Sequence, residues 1–307
     1  MEAMSWRRSL RSGVLTARMA SAADRPAVSA LLASAWRRHG ITALEEQIAL
    51  LNGGASAVAF AGPDMIGFLG LFIREPAGNP EETWADVAMA ASAGQVAPAT
   101  TMSQMLQVIV PVLYARGVTA LAALADASWI KGALAENGFA EVDEVVSYAR
   151  RNSRHLPGAA QPARLRPAGP ADTDAVLEIN AASFESLWHY DPATIITWLT
   201  TSEHAVIAEL DSCPVGFSLT ANPLLGEYAQ LIRIATHPAV QGCGIGRQLV
   251  ADAIRFAEES GCAGISLNTQ ASNGIARKLY QSLDFRPMPD PLAVLVRPLR
   301  AEPAPSF

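Results

Sequence analysis

The chain has 307 residues, half of them hydrophobic and 17% charged, with a net charge of −6 and a pI near 5.4. That length suffices for two domains with cores of their own, while the acidic balance and the lack of a basic, aromatic-laced patch exclude a nucleic-acid footprint. No run approaches the ~18 apolar residues of a membrane span, and Arg7, Arg8 and Arg11 head no apolar stretch of signal-peptide length, so a cytoplasmic protein without membrane partners is expected. Cys213, Cys243 and Cys262 lack C-x-x-C spacing and the five histidines are scattered, so neither a disulfide nor a metal site is expected.

In chain order, a strand at Arg18 leads through a polar turn at Asp24 into a helix carrying Ala27 and Val28. A strand over Trp84–Ala90 is followed by Gly94-Gln95-Val96-Ala97-Pro98-Ala99 and by a helix from about Met102, which is expected to kink at Pro111. Residues 151–163, rich in Pro, Gly, Ala and polar side chains and without apolar period, read as a linker. The pattern then begins again. Arg166, Asp172, Ala175, Val176 and Phe184 repeat Arg18, Asp24, Ala27, Val28 and Trp36 at a spacing of 148 residues, and Gly261–Asn268 repeats Gly117–Leu124 at a spacing of 144. Two copies are too few for a solenoid, so a tandem pair is expected, 14–150 and 164–307.

The second copy carries what the first lacks. Ala229–Thr236 is an apolar, half-alternating strand that stops at His237-Pro238. After it come Gln241-Gly242-Cys243-Gly244-Ile245-Gly246, then a helix with Leu249, Val250, Ala253, Ile254 and Ala257 at helical spacing. Glycines let main chain approach an anion, and the first N–H groups of a helix have no intrahelical acceptor, so donors converge on one point, as a pyrophosphate requires. A dinucleotide fingerprint is excluded because Arg247 stands where its third glycine belongs, and a Walker loop because Gly-Lys-Ser/Thr is absent. In the first copy the corresponding loop has one glycine and a proline that offers no N–H.

The hexad fits Q/R-x-x-G-x-G/A and resembles the phosphate loop of the GNAT acyltransferase family. The resemblance continues through the alternating strand Gly264–Thr269 into Ala271-Ser272-Asn273, then Ile275, Ala276, Leu279, Tyr280 and Leu283, similar to the family's A-S-N-x-x-A-x-x-L-Y-x-x-x-G-F. It implies an α/β fold of α+β type, a mixed sheet in each of two tandem acyl-CoA-binding domains, the first degenerate. It also implies a transferase using acetyl-CoA as cosubstrate without a metal, acetylating a primary amine on a small molecule or a peptide N-terminus. Residues 229–285 resemble the enzymes that modify ribosomal-protein N-termini. A non-enzymatic acyl-CoA sensor or scaffold is the alternative, and a monomer and a homodimer are both open.

Carried over by motif position, Ile234, Ala235, Thr236, Gln241, Gly242, Cys243, Gly244, Ile245, Gly246, Arg247 and Asn273 bind acetyl-CoA, while Tyr280 reaches the thioester sulfur as acid. Asn273 and Tyr280 are seven apart, two turns of one helix face, a rise of about 10 Å. Glu227 is the expected base. It stands one residue before the position the family uses, occupied here by Tyr228, and so needs a bulge to face the site. His237 is the other candidate base. Phe184, Glu185, Trp188 and His189 are expected to line the acceptor wall. Asp284 replaces the family's glycine before Phe285, so a left-handed Asp284 is expected.

Overall fold

The fold was analysed in a computed structural model, which describes residues 14–40, 50–74, 83–94, 96–152, 160–221 and 228–299. The first copy gives β1 (Leu15–Met19), α1 (Arg25–Ser34), β2 (Arg37–His39), β3 (Ser56–Ala61), β4 (Asp64–Ile73) and β5 (Thr83–Ser92). It continues with α2 (Pro98–Ala115), β6 (Val118–Ala125), α3 (Ser128–Ala135) and β7 (Ala140–Arg151). The second gives β8 (Arg164–Pro167), α4 (Thr173–Ser183), α5 (Pro192–Thr201), β9 (His204–Leu210), β10 (Cys213–Ala221) and β11 (Tyr228–Thr236). Then follow α6 (Ile245–Glu259), β12 (Gly264–Gln270), α7 (Gly274–Gln281), β13 (Arg286–Pro287) and β14 (Leu292–Pro298). Helix α2 runs through Pro111 to Ala115 without ending there.

The described elements fall into two units whose membership departs from sequence order. One holds the order β1-β3-β4-β5-β6-β14, with β14 joining it from Leu295 on. The other holds β7-β12-β11-β10-β9-β8, with β7 joining from Glu141, and also takes Arg74 and Trp84. In this second unit all neighbours are antiparallel except β11 and β12. Parallel pairing there follows from the α6 crossover between them. Alternation sorts side chains to two faces: Val206 and Ala208 of β9 pack with Ile245 and Leu249 of α6, whereas Ile207 packs with Val176, Ile179, Ile195 and Leu199 of α4 and α5.

The repeated Arg and Asp make the same device twice. Arg18 holds Asp24 with a two-pronged fork at 2.7 and 2.6 Å, and Arg166 holds Asp172 at 3.0 and 2.7 Å. Each carboxylate also accepts a main-chain N–H three residues back, from Ser21 or Gly169, both at 2.9 Å. A strand end is thereby tied to the start of the next helix by charge-assisted bonds. Ala163, the last residue of the expected linker, is buried and exchanges two hydrogen bonds with Gln248 of α6, 3.1 Å into Oε1 and 2.8 Å from Nε2.

Candidate acyl-CoA site

Strand β11 is paired with β12 only as far as Leu231 and Leu267, yet it runs on to Thr236. The two strands part where a bulge interrupts the β10 register, with Leu219 opposite Arg233 and Thr220 opposite Leu231. Beyond it, His237 N–H donates to Val215 O at 2.8 Å, so by alternation the main-chain groups of Ile234 and Thr236 face away from β10, toward the open side. Thr236 O there accepts from Ser183 Oγ (3.2 Å) and Gln241 Nε2 (3.3 Å). Ile234 packs toward α6 and α7, and Ala235 lies on the opposite face among α4 and α5.

The loop after β11 has the expected conformation. Gly242 (φ 82°) and Gly244 (φ 87°) are left-handed, and Gly244 caps α6 with no side chain filling its first turn. Gln248 N–H bonds Gly244 O at 3.0 Å, so the N–H groups of Ile245, Gly246 and Arg247 precede any helical acceptor. Gln241, Gly242 and Cys243 are exposed, Ile245 is buried beneath them, and Arg247 donates to Ser282 Oγ at 2.8 Å. This is a cradle of donors at the positive end of a 15-residue helix, suited to a diphosphate.

Helix α7 positions Tyr280. Asn273 caps it by accepting Ala276 N–H at 3.1 Å, which engages its carbonyl oxygen and leaves its amide nitrogen to face other groups. Tyr280 is buried between Tyr148 of β7 (ring centroids 6.3 Å) and Phe285 (5.9 Å). Burial pushes its phenol up to about 12, partly countered by the nearby Arg233 charge. The helix closes as expected, with Asp284 at φ 65° and Phe285 N–H reaching Tyr280 O at 3.1 Å, the partner of Gly138 (φ 83°) and the Phe139–Leu134 bond in the first copy. Leu134, matching Tyr280 by position, is fully buried. Ile275 departs from the expected apolar face and is 80% exposed.

The Phe184 ring and the Trp188 main chain meet Arg233, which was not among the expected site residues. Arg233 donates through Nε and Nη2 to Asn180 Oδ1 (2.9 and 2.7 Å) and through Nη2 to Trp188 O (2.7 Å), with its guanidinium 3.5 Å over Phe184 and 4.8 Å from Tyr190. Burial lowers it to about 10, so it stays charged at neutral pH. Its signal was a single arginine inside the apolar run Leu231–Ala235. Arg74 supports the same segment, donating to Leu187 O at 2.6 Å. His189 Nε2 lies 2.7 Å from Phe184 O and must carry the proton, since a carbonyl only accepts, which leaves Nδ1 basic in the neutral ring. Glu185 is exposed at the start of the Ser186–Trp188 turn.

Glu227 lies outside the described residues. Tyr228 packs on β12, where a side chain at Gly264 would collide with its ring and with Arg150 O. His237 Nδ1 accepts Ala239 N–H at 3.3 Å and so acts as a turn cap. Among the described residues there is no cluster of three metal-ligating side chains and no helix long and apolar enough to cross a membrane.

A mixed sheet that opens beside a glycine-led helix, with a tyrosine on the next helix, defines the GNAT acetyltransferase fold, and the chain carries it in tandem. Residues 173–285 match the acetyltransferase (GNAT) family model, and this part of the chain belongs to that family. Mycothiol acetyltransferase of Nocardia farcinica is 30% identical over 39% of this chain and 44% of its own, so the chain matches less than half of that relative. Its counterpart in Tsukamurella paurometabola is 28% identical over 86% of this chain and 93% of its own. A Bacillus subtilis protein described as a ribosomal protein bS18 alanine N-acetyltransferase is 28% identical over 38% of this chain and 76% of its own. The solved tandem GNAT protein from the clavulanic acid biosynthesis pathway superposes with a TM-score of 0.59 at 14% identity, covering 94% of this chain and all of that one, a likeness of fold.

Proposed function

We propose that the chain transfers acetyl from acetyl-CoA to a primary amine by direct attack, with its working centre in residues 164–307 and with residues 14–150 non-catalytic. The observation that carries this reading is the parting of β11 from β12 after Leu231, directly upstream of the left-handed glycines. The diphosphate rests on Gly242–Arg247, pantetheine runs along the open side of β11 and past the Asn273 amide, and the thioester carbonyl meets main chain near Ile234. The acceptor is an amine-bearing small molecule or a peptide N-terminus entering past Phe184, Glu185, Trp188 and His189.

The amine nitrogen, deprotonated, forms the new C–N bond as the C–S bond breaks, and the electron pair leaves on sulfur. Tyr280 supports that sulfur. A phenol near 12 is a reluctant acid toward a thiolate whose conjugate acid lies near ~8.5, so Tyr280 donates a hydrogen bond to the leaving thiolate, which takes its proton from solvent on release. The amine proton passes to Glu227 or to His189 Nδ1, because the His237 Nδ1 lone pair is engaged in the turn cap.

Calorimetric titration of the full chain with acetyl-CoA tests the reading. One site is expected, and Gly244→Glu, which sets an anion in the cradle, removes it. Two sites would put a working loop in the first copy, and no binding would overturn the proposal. Binding without release of free CoA across peptides and small amines would favour the sensor or scaffold.

A further inference from the structure

We infer that Arg233 receives a carboxylate carried by one of the two reacting molecules, so that the site selects an acceptor amine, or an acyl chain, bearing an acid. This rests on the acetyltransferase reading above and concerns what that site accepts. Arg233 is 9% exposed, and the groups it meets are neutral: an amide oxygen, a main-chain carbonyl and two aromatic faces. Arg150, the other buried arginine among the described residues, is matched with Glu258, whereas arginines that meet only neutral groups, such as Arg247 and Arg277, are partly exposed to water. Arg233 has no ion-pair partner among the described residues. A cation withdrawn from water without a counterion is a costly arrangement that an incoming anion relieves.

The guanidinium has donors to offer. Nε and Nη2 are engaged, while Nη1 bonds no described residue, and an arginine edge is shaped for a carboxylate. Position narrows the source. Arg233 immediately precedes Ile234, near which the proposed thioester carbonyl meets the main chain, and its guanidinium lies against Asn180 of α4, Trp188 O and the Phe184 ring, the segment proposed to admit the acceptor. The diphosphate cradle begins nine residues further along the chain, at Gly242, beyond the end of β11. The expected anion therefore belongs to the acceptor or to the far end of the acyl group. Arg233 also holds the acceptor wall through Trp188 O, so a bound acid and the wall are fixed by one side chain.

Matched pairs of compounds on the full chain test this, with Arg233→Gln removing the charge and Arg233→Lys keeping it. The acceptor arm compares the amino acids with their C-terminal amides, and the donor arm compares succinyl-CoA with butyryl-CoA, each read by calorimetric affinity and, where turnover occurs, by kcat/KM. In one arm the acid is expected to be favoured by about tenfold or more, the ratio falling below about threefold in Arg233→Gln and partly returning in Arg233→Lys. The arm that responds identifies which molecule carries the carboxylate. Failure of the unaltered chain to bind acetyl-CoA would defeat the acetyltransferase reading, whereas acid–amide discrimination is read by binding alone. Absence of discrimination in both arms, including failure of every acid to bind, overturns the inference. So does discrimination that survives Arg233→Gln, and so does a variant that only melts earlier with its ratios intact.

Discussion

Tyr280 is a buried phenol that ionises only at about 12, so through the neutral range it is a permanent donor. Its replacement by Phe keeps the packing against Tyr148 and Phe285 and, in the proposed reaction, removes one hydrogen bond to developing charge. We expect kcat to fall by about 100-fold or more with acetyl-CoA affinity little changed, measured by single-turnover kinetics and calorimetry. The wild-type rate should show no alkaline limb from this phenol below about pH 11, because burial has raised, not lowered, its pKa. Asp284 is a second single-residue case. Its left-handed φ of 65° was legible because an aspartate stands where a helix must turn back before Phe285. Asp284→Gly should stabilise the fold by up to about 1 kcal/mol, read from the urea midpoint, by removing a Cβ from that conformation. Arg233 was not legible in this way. A charge inside an apolar strand says that something compensates it, and Asn180, Trp188, Phe184 and Tyr190 came together only through the packing of α4 on β11.

At the level of elements, the forks of Arg18 on Asp24 and Arg166 on Asp172 explain why this pair recurs at a fixed spacing. Loss of Asp24 takes the acid partner from a half-exposed Arg18 and the acceptor from Ser21 N–H, whereas Arg166 keeps Glu209 at 2.6 Å when Asp172 is lost, so Asp24→Ala should destabilise by about 1–2 kcal/mol and Asp172→Ala by about 1 kcal/mol in urea unfolding. The pH dependence follows from the Asp24 carboxyl, lowered from 3.8 to about 2 by the Arg18 hydrogen bonds and aided by Ser21. A lowered pKa means the unfolded chain takes up protons first, so this stability is complete above about pH 4 and is lost as the pH falls toward 2. Asp24→Ala should flatten the acid limb in that window. Helices α5 and α7 start on side-chain caps, where Asp191 accepts Thr194 N–H at 2.9 Å and Asn273 accepts Ala276 N–H at 3.1 Å. The exposure of Ile275 was not legible in the sequence, since a helical period locates a face without saying how much of it is covered.

For the whole molecule, each sequence half contributes a strand to the unit formed mainly by the other. β7 of the first half pairs with β12 from Gly264 to Gln270, and Tyr148 on it joins the core around Tyr280. The residues of β14 from Leu295 belong with the first unit, where Leu299 N–H bonds Thr119 O at 2.8 Å. A fragment starting at residue 160 would expose the β12 edge and lose a wall of the tyrosine pocket. It should be insoluble or fail to show cooperative unfolding by circular dichroism, whereas co-expression with the fragment 1–158 should restore acetyl-CoA binding. An isolated second half that folds and binds acetyl-CoA normally would contradict the strand assignment.

The repeat followed from the sequence alone as a recurrence of residue types, and the left-handed glycine loop and the Asn273–Tyr280 helix face followed because each is set by neighbours within a few residues, through glycine freedom and helical period. The strand exchange, the cage around Arg233 and the burial that raises Tyr280 were decided by tertiary structure. They depend on partners such as Arg233 and Asn180, or Tyr148 and Tyr280, that lie far apart along the chain and meet only when the sheet assembles.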